Sequence, residues 1–319
     1  MRVLVLHSDI APDAPPEEQD TLIAAAAVVQ ALGQRGHVAA RAAFRAETLD
    51  RVLVAHAPEL VFNLVEGVDG LGRLAPRAPA MLADRGVRFT GVGAGPMDLT
   101  NDKPRTKQLL RGAGLATPDW SVPPAWAGLD ERRWIVKSAL EDASLGLDDG
   151  CVVTGRDAAL ARAAACAASL GGDWFAEEFV DGREFNIALL QAGDGPRILP
   201  MAEMRFEAWP GGKPRIVGYA AKWDEGSQGW NGTVRRFGVE RDEPELAARL
   251  RAACEKTWSL FGLTGFVRVD FRIDASGIPL ILEVNANPGI APDAGFAAAA
   301  AQAGMGYPEL IDAIVMAAA

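Results

Sequence analysis

Histidine, cysteine and tyrosine are scarce: 319 residues include three His, three Cys and two Tyr. His7, His37 and His56 lie far apart, with nothing beside them that suggests a His-ligated metal or a Ser-His-Asp triad. Cys151, Cys166 and Cys254 are too widely spaced for a disulfide framework or a zinc pattern, and they suit a reducing cytoplasm. Long apolar runs are also missing. The longest, Leu22 to Val29, falls far short of the roughly 20 residues that cross a bilayer. After Arg2 only Val3–Leu6 precede His7 and Ser8, so no signal peptide is expected. Positive charge is in the minority, 32 Lys+Arg against 42 Asp+Glu, a formal net charge of −10. That balance argues against bulk nucleic-acid binding and leaves room for a small local anion site.

What is present is ordinary for a soluble globular protein, with 49% hydrophobic and 23% charged residues. The length suggests two or three domains. Val3–Leu6 reads as a strand, a polar loop runs to about Asp20, and Thr21–Leu32 reads as a helix stopped by Gly33, the opening of an α/β unit. Leu60–Leu64 and Val87–Thr90 read as further strands, and Gly91–Pro96 as a boundary loop. Thr100-Asn101-Asp102 offers N-cap chemistry for a helix to Arg111. Trp134–Lys137 reads as a strand, and a helix capped near Thr154 should reach Leu170. Trp174–Val180 and Arg183–Leu190, joined by Asp181-Gly182, read as a β-hairpin. A long helix is expected over 243–261, followed by strands at Gly265–Ile273 and Pro279–Asn285.

That last pair carries the most chemistry. Alternation puts Val267, Val269, Phe271 and Ile273 on one face and Arg268, Asp270 and Arg272 on the other. In the second strand Ile281, Glu283 and Asn285 share a face opposite Leu280, Leu282 and Val284. Antiparallel pairing can gather Arg268, Asp270, Glu283 and Asn285 on one polar face. Two carboxylates and an amide oxygen are hard ligands that suit Mg²⁺ shared with substrate phosphates. An adjacent arginine can stabilise a transferring phosphoryl or acyl-phosphate group. The competing reading is a solvated face with cross-strand ion pairs. Lys103 at a helix start and Lys137 at a strand end are candidate phosphate contacts, although each alone is more often a snorkelling surface lysine. Glu177, Glu178 and Glu184 could accept ribose hydrogen bonds or line an exposed edge.

Seven segments in order strengthen these readings: Phe62–Gly67, Asn101–Lys107, Trp134–Ser138, Ala176–Glu184, Tyr219–Trp223, Gly265–Asp270 and Leu282–Gly289. With them the chain resembles the ATP-grasp superfamily, most closely its D-alanine–D-alanine ligase branch, over nearly its whole length. The resemblance implies an α/β chain with a doubly wound N-terminal domain (1–98) and two α+β lobes (99–180 and 181–319) that clamp ATP. It implies an ATP-dependent carboxylate–amine ligase that works through an acyl phosphate, in the cytoplasm, with ATP and two Mg²⁺ ions (Mn²⁺ as an alternative). Its partners would be a small carboxylate and an amine, without nucleic acid or membrane, and a homodimer is open. Lys103 and Lys137 match the family's nucleotide lysines. Glu177, Glu178, Phe179 and Val180 match the adenine hinge, and Glu184 the ribose acid. Lys222 matches the lysine of the phosphate-covering loop. Asp270, Glu283 and Asn285 match the metal ligands, and Arg268 the arginine that stabilises the transferred phosphate.

The substrate-reading positions depart from that pattern. The family's glycine- and serine-rich stretch is here Ser138–Gly146, with the substrate-side serine falling on or near Ala143. Trp223 stands where those ligases carry tyrosine. The loop after Asn287-Pro288-Gly289 brings Asp293 where a serine is expected; it either meets a cationic or donor-rich substrate group or caps the following helix, 294–303. Glu18 and Asp20 both fit the N-terminal substrate acid, and Glu66 is a further candidate. A substrate pair other than two plain D-alanines is therefore expected. The alternatives are a true D-alanine–D-alanine ligase, a phosphotransferase on the same fold, and a nucleotide-binding protein without turnover.

Overall fold

The computed structural model describes residues 1–11, 13–142, 144–224 and 226–318. At the N-terminus β1 (Arg2–His7), β2 (Val38–Ala43) and β3 (Leu60–Leu64) form a parallel sheet in the order β2-β1-β3. Every residue of β3 is buried, Asn63 included, as expected of a strand in a sheet covered on both faces. Alternate residues of β1 feed two cores. Val3 and Val5 pack with Ala25, Val28 and Leu32 of α1 (Pro16–Gln34). Leu4 and Leu6 pack with Leu49 of α2 (Leu49–His56) and with Ala78 and Leu82 of α3 (Arg77–Asp84). Helices on both faces of a parallel sheet are the doubly wound arrangement. α1 begins inside the polar run read as loop. The segment Val87–Thr90 supplies a single bridge, Phe89 to Val61, instead of a strand.

Two helices lead out of this domain. α4 (Ala94–Asn101) occupies the second half of the expected boundary loop, and α5 (Lys103–Gly112) follows at once. The Asp102 carboxylate caps α5, accepting from the Arg105 N–H at 3.0 Å. A four-stranded antiparallel sheet comes next, β4 (Trp120–Ser121), β5 (Arg133–Ser138), β6 (Val152–Thr154) and β7 (Trp174–Glu178), in the order β4-β7-β5-β6. α6 (Arg156–Leu170) covers it through Ala159, Ala163 and Cys166. Its N-cap is Gly155, not Thr154.

The last part contains β8 (Arg183–Ala192), β9 (Gly195–Ile198), β10 (Ala202–Phe206), α7 (Tyr219–Trp223), α8 (Gln228–Gly232), β11 (Thr233–Arg236), α9 (Val239–Asp242), α10 (Pro244–Phe261), β12 (Phe266–Ile273), β13 (Pro279–Asn285), α11 (Gly295–Gln302) and α12 (Tyr307–Ala317). Its six-stranded sheet runs β11-β10-β8-β12-β13, with β9 also on β8. Leu246, Leu250, Cys254 and Trp258 of α10 meet Val267, Val269 and Phe271 of β12 in a third core. α12 returns to pack on α1, and Phe266, Phe296 and Leu310 share the N-terminal core with Phe62.

Two local expectations are corrected. β7 and β8 do not form a hairpin: β7 pairs with β4 and β5, while β8 pairs with β9, β10 and β12 in the other sheet. Asp181-Gly182 is a crossing between sheets, and its glycine is required because a Cβ there would collide with the Ile273 carbonyl oxygen. Second, β13 carries a bulge. Asp270 pairs with Glu283, but Phe271 pairs with Ile281. Skipping Leu282 turns Ile281 into the apolar core beside Val284, instead of leaving it on the polar face. Among the described residues, no helix is long and apolar enough to cross a membrane.

Candidate active site

One face of β12 organises the site. Phe266, Arg268, Asp270 and Arg272 point the same way. Phe266 is fixed in the N-terminal core by Phe62 and Phe296, with ring centroids 6.1 Å and 5.9 Å away. The three polar residues after it then form one polar face. Arg268 donates Nε and Nη2 to the two oxygens of Asp270 at 2.8 Å and 2.9 Å. Across the ladder Glu283 stands opposite Asp270 and Asn285 opposite Arg268. The Asn285 amide donates to Asp270 at 3.2 Å and to Glu283 at 3.3 Å. The gathering of these four residues agrees with the alternation expected from sequence.

The electrostatics of the acid pair are uneven. Burial pushes Asp270 above the usual carboxylate range against the pull of Arg268. Burial would also raise Glu283, but Lys103, Lys137, Lys222 and Arg268 outweigh it and hold the carboxyl at about 2. The cluster is therefore built around anionic oxygens facing cations from four different elements. Among the described residues no group of three or more His, Cys, Asp or Glu side chains could hold a metal. Two carboxylates and one amide suit a hard divalent ion that takes its remaining ligands from phosphates and water. Rotating the Asn285 amide by half a turn would present its oxygen beside both carboxylates.

The lysines arrive by different routes. Lys103 opens α5 and is 6% exposed. Its Nζ donates to the Glu141 carbonyl and the Asp142 carboxylate, both at 2.8 Å. Burial lowers this ammonium, but Asp142 and Glu283 more than compensate and raise it. Lys137 on β5 donates to Glu177 at 2.6 Å. Lys107 on α5, fully buried, also pairs with Glu177 and donates to Thr117 Oγ1 at 2.8 Å. Sequence reasoning did not single out Lys107. The signal was its place one helical turn after Lys103, on the same face of α5. Glu177, the first hinge residue, is thus held inward by two ammonium groups. Glu178, one-third exposed, pairs with Arg132 at 3.0 Å, and the Phe179 N–H bonds the Arg133 carbonyl. Phe179 and Val180 carry the chain from β7 toward β8.

Arg272, placed on the polar face but given no role by sequence, explains the position of Glu184. The two are cross-strand partners, and Nη2 donates to Glu184 at 2.6 Å while Nη1 bonds the Gly182 carbonyl at 2.9 Å. Asn186, two residues on, stands opposite Asp270 on the same face; the period of two from Glu184 would have found it. Lys222 lies in α7, half-buried, where burial and then Arg268 push its ammonium down. Trp223 follows it, also half-buried.

The substrate-side residues collect at the carboxyl ends of the N-terminal strands, the usual place for a ligand in an open α/β sheet. Ser8 Oγ after β1 accepts the N–H groups of Glu66 and Gly67 at 3.0 Å and 3.1 Å. The Asn287 amide reaches from the loop after β13 to the Val65 carbonyl at 3.2 Å. Glu66 itself is exposed, and protein surroundings together with Asp20 and Asp142 push its carboxyl upward. Asp20 is raised by burial and by Asp293. Residues two apart on a helix face nearly opposite ways, so α1 turns Asp20, not Glu18, toward this cluster. Asp293 is exposed and does not cap α11, whose N-cap is Ala294. Ala143 lies outside the described residues. Glu141 and Asp142 anchor this stretch instead, Glu141 by accepting the Gly72 N–H at 2.6 Å.

Comparisons with known proteins converge. The family model for the D-ala D-ala ligase C-terminus matches residues 133–316, more than half of the chain. A D-alanine–D-alanine ligase of Chromohalobacter salexigens is 33% identical over 81% of this chain and 77% of its own length. An uncharacterised protein of Sinorhizobium fredii is also 33% identical, over 84% and 78%. Among solved structures, a D-alanine–D-alanine ligase of Bacillus anthracis complexed with ATP superposes with a TM-score of 0.77 at 18% identity, covering 100% of this chain and 97% of that one. The D-Ala:D-Ser ligase VanG of Enterococcus faecalis gives 0.72 at 16%, covering 99% of each.

Proposed function

The chain belongs to the D-alanine–D-alanine ligase family, and from that premise we propose how its own residues divide the work of an ATP-dependent carboxylate–amine ligase. In this class of reaction a carboxylate takes the γ-phosphoryl of ATP to become an acyl phosphate. An amine then attacks the carbonyl, phosphate leaves, and an amide forms. The free carboxylate is a poor electrophile, and positioning with charge screening supplies most of the remaining catalysis.

The observation that carries the assignment is the polar face of β12 and β13, where Arg268, Asp270, Glu283 and Asn285 meet the field of three lysines from separate elements. Lys103 and Lys137 would bind phosphate oxygens, exchanging Asp142 and Glu177 for them. Lys222, in a short helix where Arg268 and Glu283 act on its ammonium, would cover the phosphates. Glu178–Val180 offer hinge backbone to a base, and Arg272 holds Glu184 ready for ribose hydroxyls. Asp270, Glu283 and Asn285 would hold two Mg²⁺ ions, with Mn²⁺ as a substitute; bound there, such ions neutralise phosphate charge. Arg268 would stabilise the transferred phosphoryl group and the tetrahedral centre. The enzyme would act in the cytoplasm, where ATP is available and its buried free cysteines Cys151, Cys166 and Cys254 stay reduced.

The relatives' names make D-alanine the first substrate to try. The altered substrate loop, with Asp293 near Asp20 and without a hydroxyl at Pro292, Asp293 or Ala294, favours a different pair. Incubation with ATP, Mg²⁺ and a panel of amino acids and amines, followed by phosphate release and product mass, decides the matter. An amide product supports the ligase assignment, and a phosphorylated product would replace it with a kinase. Abundant D-alanyl-D-alanine from D-alanine alone would make the chain a plain D-alanine–D-alanine ligase.

A further inference from the structure

Three arginines of the six-stranded sheet, Arg197, Arg235 and Arg236, lack an ion pair among the described residues; Arg197 and Arg236 are exposed to water, and Arg235 is half-buried. Arg268 is bound to Asp270, and Arg272 to Glu184. Arg183 binds Glu203 and Glu243, and Arg205 also reaches Glu203. Arg235, on β11, has neither an ion pair nor a hydrogen bond among the described residues, and its Nε is buried without a partner. Its charged neighbours are Arg268, which repels it, and Asp293. A guanidinium cannot shed its proton, so a half-buried one with an idle donor beside a second arginine is an unfavourable arrangement. An anion arriving between the two would remove the cost.

The position tells which anion. Lys103, Lys137 and Lys222 surround Glu283, and Arg268 also acts on that carboxylate. Arg235 instead faces the loop after β13. Its guanidinium lies against Gly295, with Nη2 3.4 Å from where a Cβ would stand. Arg268 is therefore a charged neighbour of both Lys222 and Arg235, whereas no lysine acts on Arg235. The electrophilic carboxylate of a ligase is consumed, so an anion retained beyond Arg268 belongs to the other substrate. We propose that Arg235 is a specificity-determining residue that binds a carboxylate on the amine-bearing substrate. The proposal rests on the ligase assignment above. It requires the acceptor to carry an acid group besides its amine.

The test takes the amino acid giving the most ATP-dependent amide in the panel and offers it beside its own carboxamide. With wild type the carboxamide should show a KM roughly 10–100-fold higher, the loss of a charge-assisted contact. Arg235→Gln should raise the acceptor KM by a similar factor, leave the KM for ATP unchanged, and no longer distinguish acid from carboxamide. Arg235→Lys, which keeps the charge, should recover part of the affinity and guards against misfolding of the glutamine variant. An acceptor KM unmoved in both variants, or a rise confined to the KM for ATP, overturns the assignment while leaving the ligase reading intact. The second result would move Arg235 to the phosphates. Absence of any amide product overturns both.

Discussion

Single side chains in this site are held by opposite charges, so a substitution has to be chosen for what it leaves behind. Asp270 is 5% exposed and is the partner of Arg268. Replacing it removes a candidate ligand and also strands a guanidinium, which costs stability. Glu283 is half-exposed and has no ion pair within contact distance among the described residues, so Glu283→Gln is the cleaner change. Turnover should fall by about 100-fold or more as charge stabilisation at the phosphates is lost, with the melting temperature moving only a few degrees. Steady-state rates at saturating Mg²⁺, with calorimetric melting, check it, and wild-type turnover would remove Glu283 from the site. Lys107 makes a second prediction. Burial first, opposed by Glu177, lowers its ammonium from 10.5 to about 8. The unfolded chain then binds the extra proton between those values, so this group makes folding more favourable as pH rises through about 8 toward 10. The stability of wild type relative to Lys107→Met should increase over that window by an amount on the order of 3 kcal/mol. Urea unfolding of both at pH 7 and pH 10 measures it, and a constant difference would place the titration elsewhere.

Among elements, the joints matter more than the regular segments. β12 and β13 form where apolar and polar residues alternate, yet a single bulge at Leu282 decides that Ile281 enters the core while Glu283 still faces Asp270. The crossing from β7 to β8 depends on Gly182, which has no room for a side chain over Ile273. Gly182→Ala should therefore cost about 2 kcal/mol or more, since backbone rather than a movable side chain must yield. Gly211→Ala, where a Cβ meets nothing within 4 Å, serves as the control and should lie within about 0.5 kcal/mol of wild type. Chemical denaturation of the pair tests the crossing, and equal stabilities would contradict it.

At the scale of the whole molecule, the N-terminal sheet and the last lobe share hydrophobic material. Val3, Phe62 and Leu64 lie in one core with Ala188, Phe266, Phe296 and Leu310. Phe266 begins the strand that continues into Arg268 and Asp270, so the fastening of the N-terminal domain and the aiming of the site are one act of packing. Phe266 is fully buried, and Phe266→Ala should cost about 3–5 kcal/mol by leaving a cavity. Because the core is shared, the N-terminal domain and the last lobe should lose structure together. Hydrogen exchange of β1 and α12 in this variant tests that coupling, and separate loosening of one alone would refute it.

The sequence by itself determined the features that follow from local pattern. Alternation placed Arg268, Asp270, Glu283 and Asn285 on one face, apolar runs marked β1 and β3, and Asp102 announced the start of α5. Ordered motifs were sufficient for the family, because spacing along the chain survives without any knowledge of contacts. Tertiary structure alone decided what depends on distant partners. Asp181-Gly182 has the composition of a hairpin turn, but the pairing energy of β8 with β10 and β12 draws the chain into another sheet. Lys107 reads as one more helix cation until Thr117 and Glu177 close around it. Arg235 and Arg236 are alike on paper; only the fold puts the first beside Arg268 with its Nε buried and unanswered. Local signals report what a residue prefers, whereas burial and charge environment are sums over neighbours that the chain brings together only when it folds.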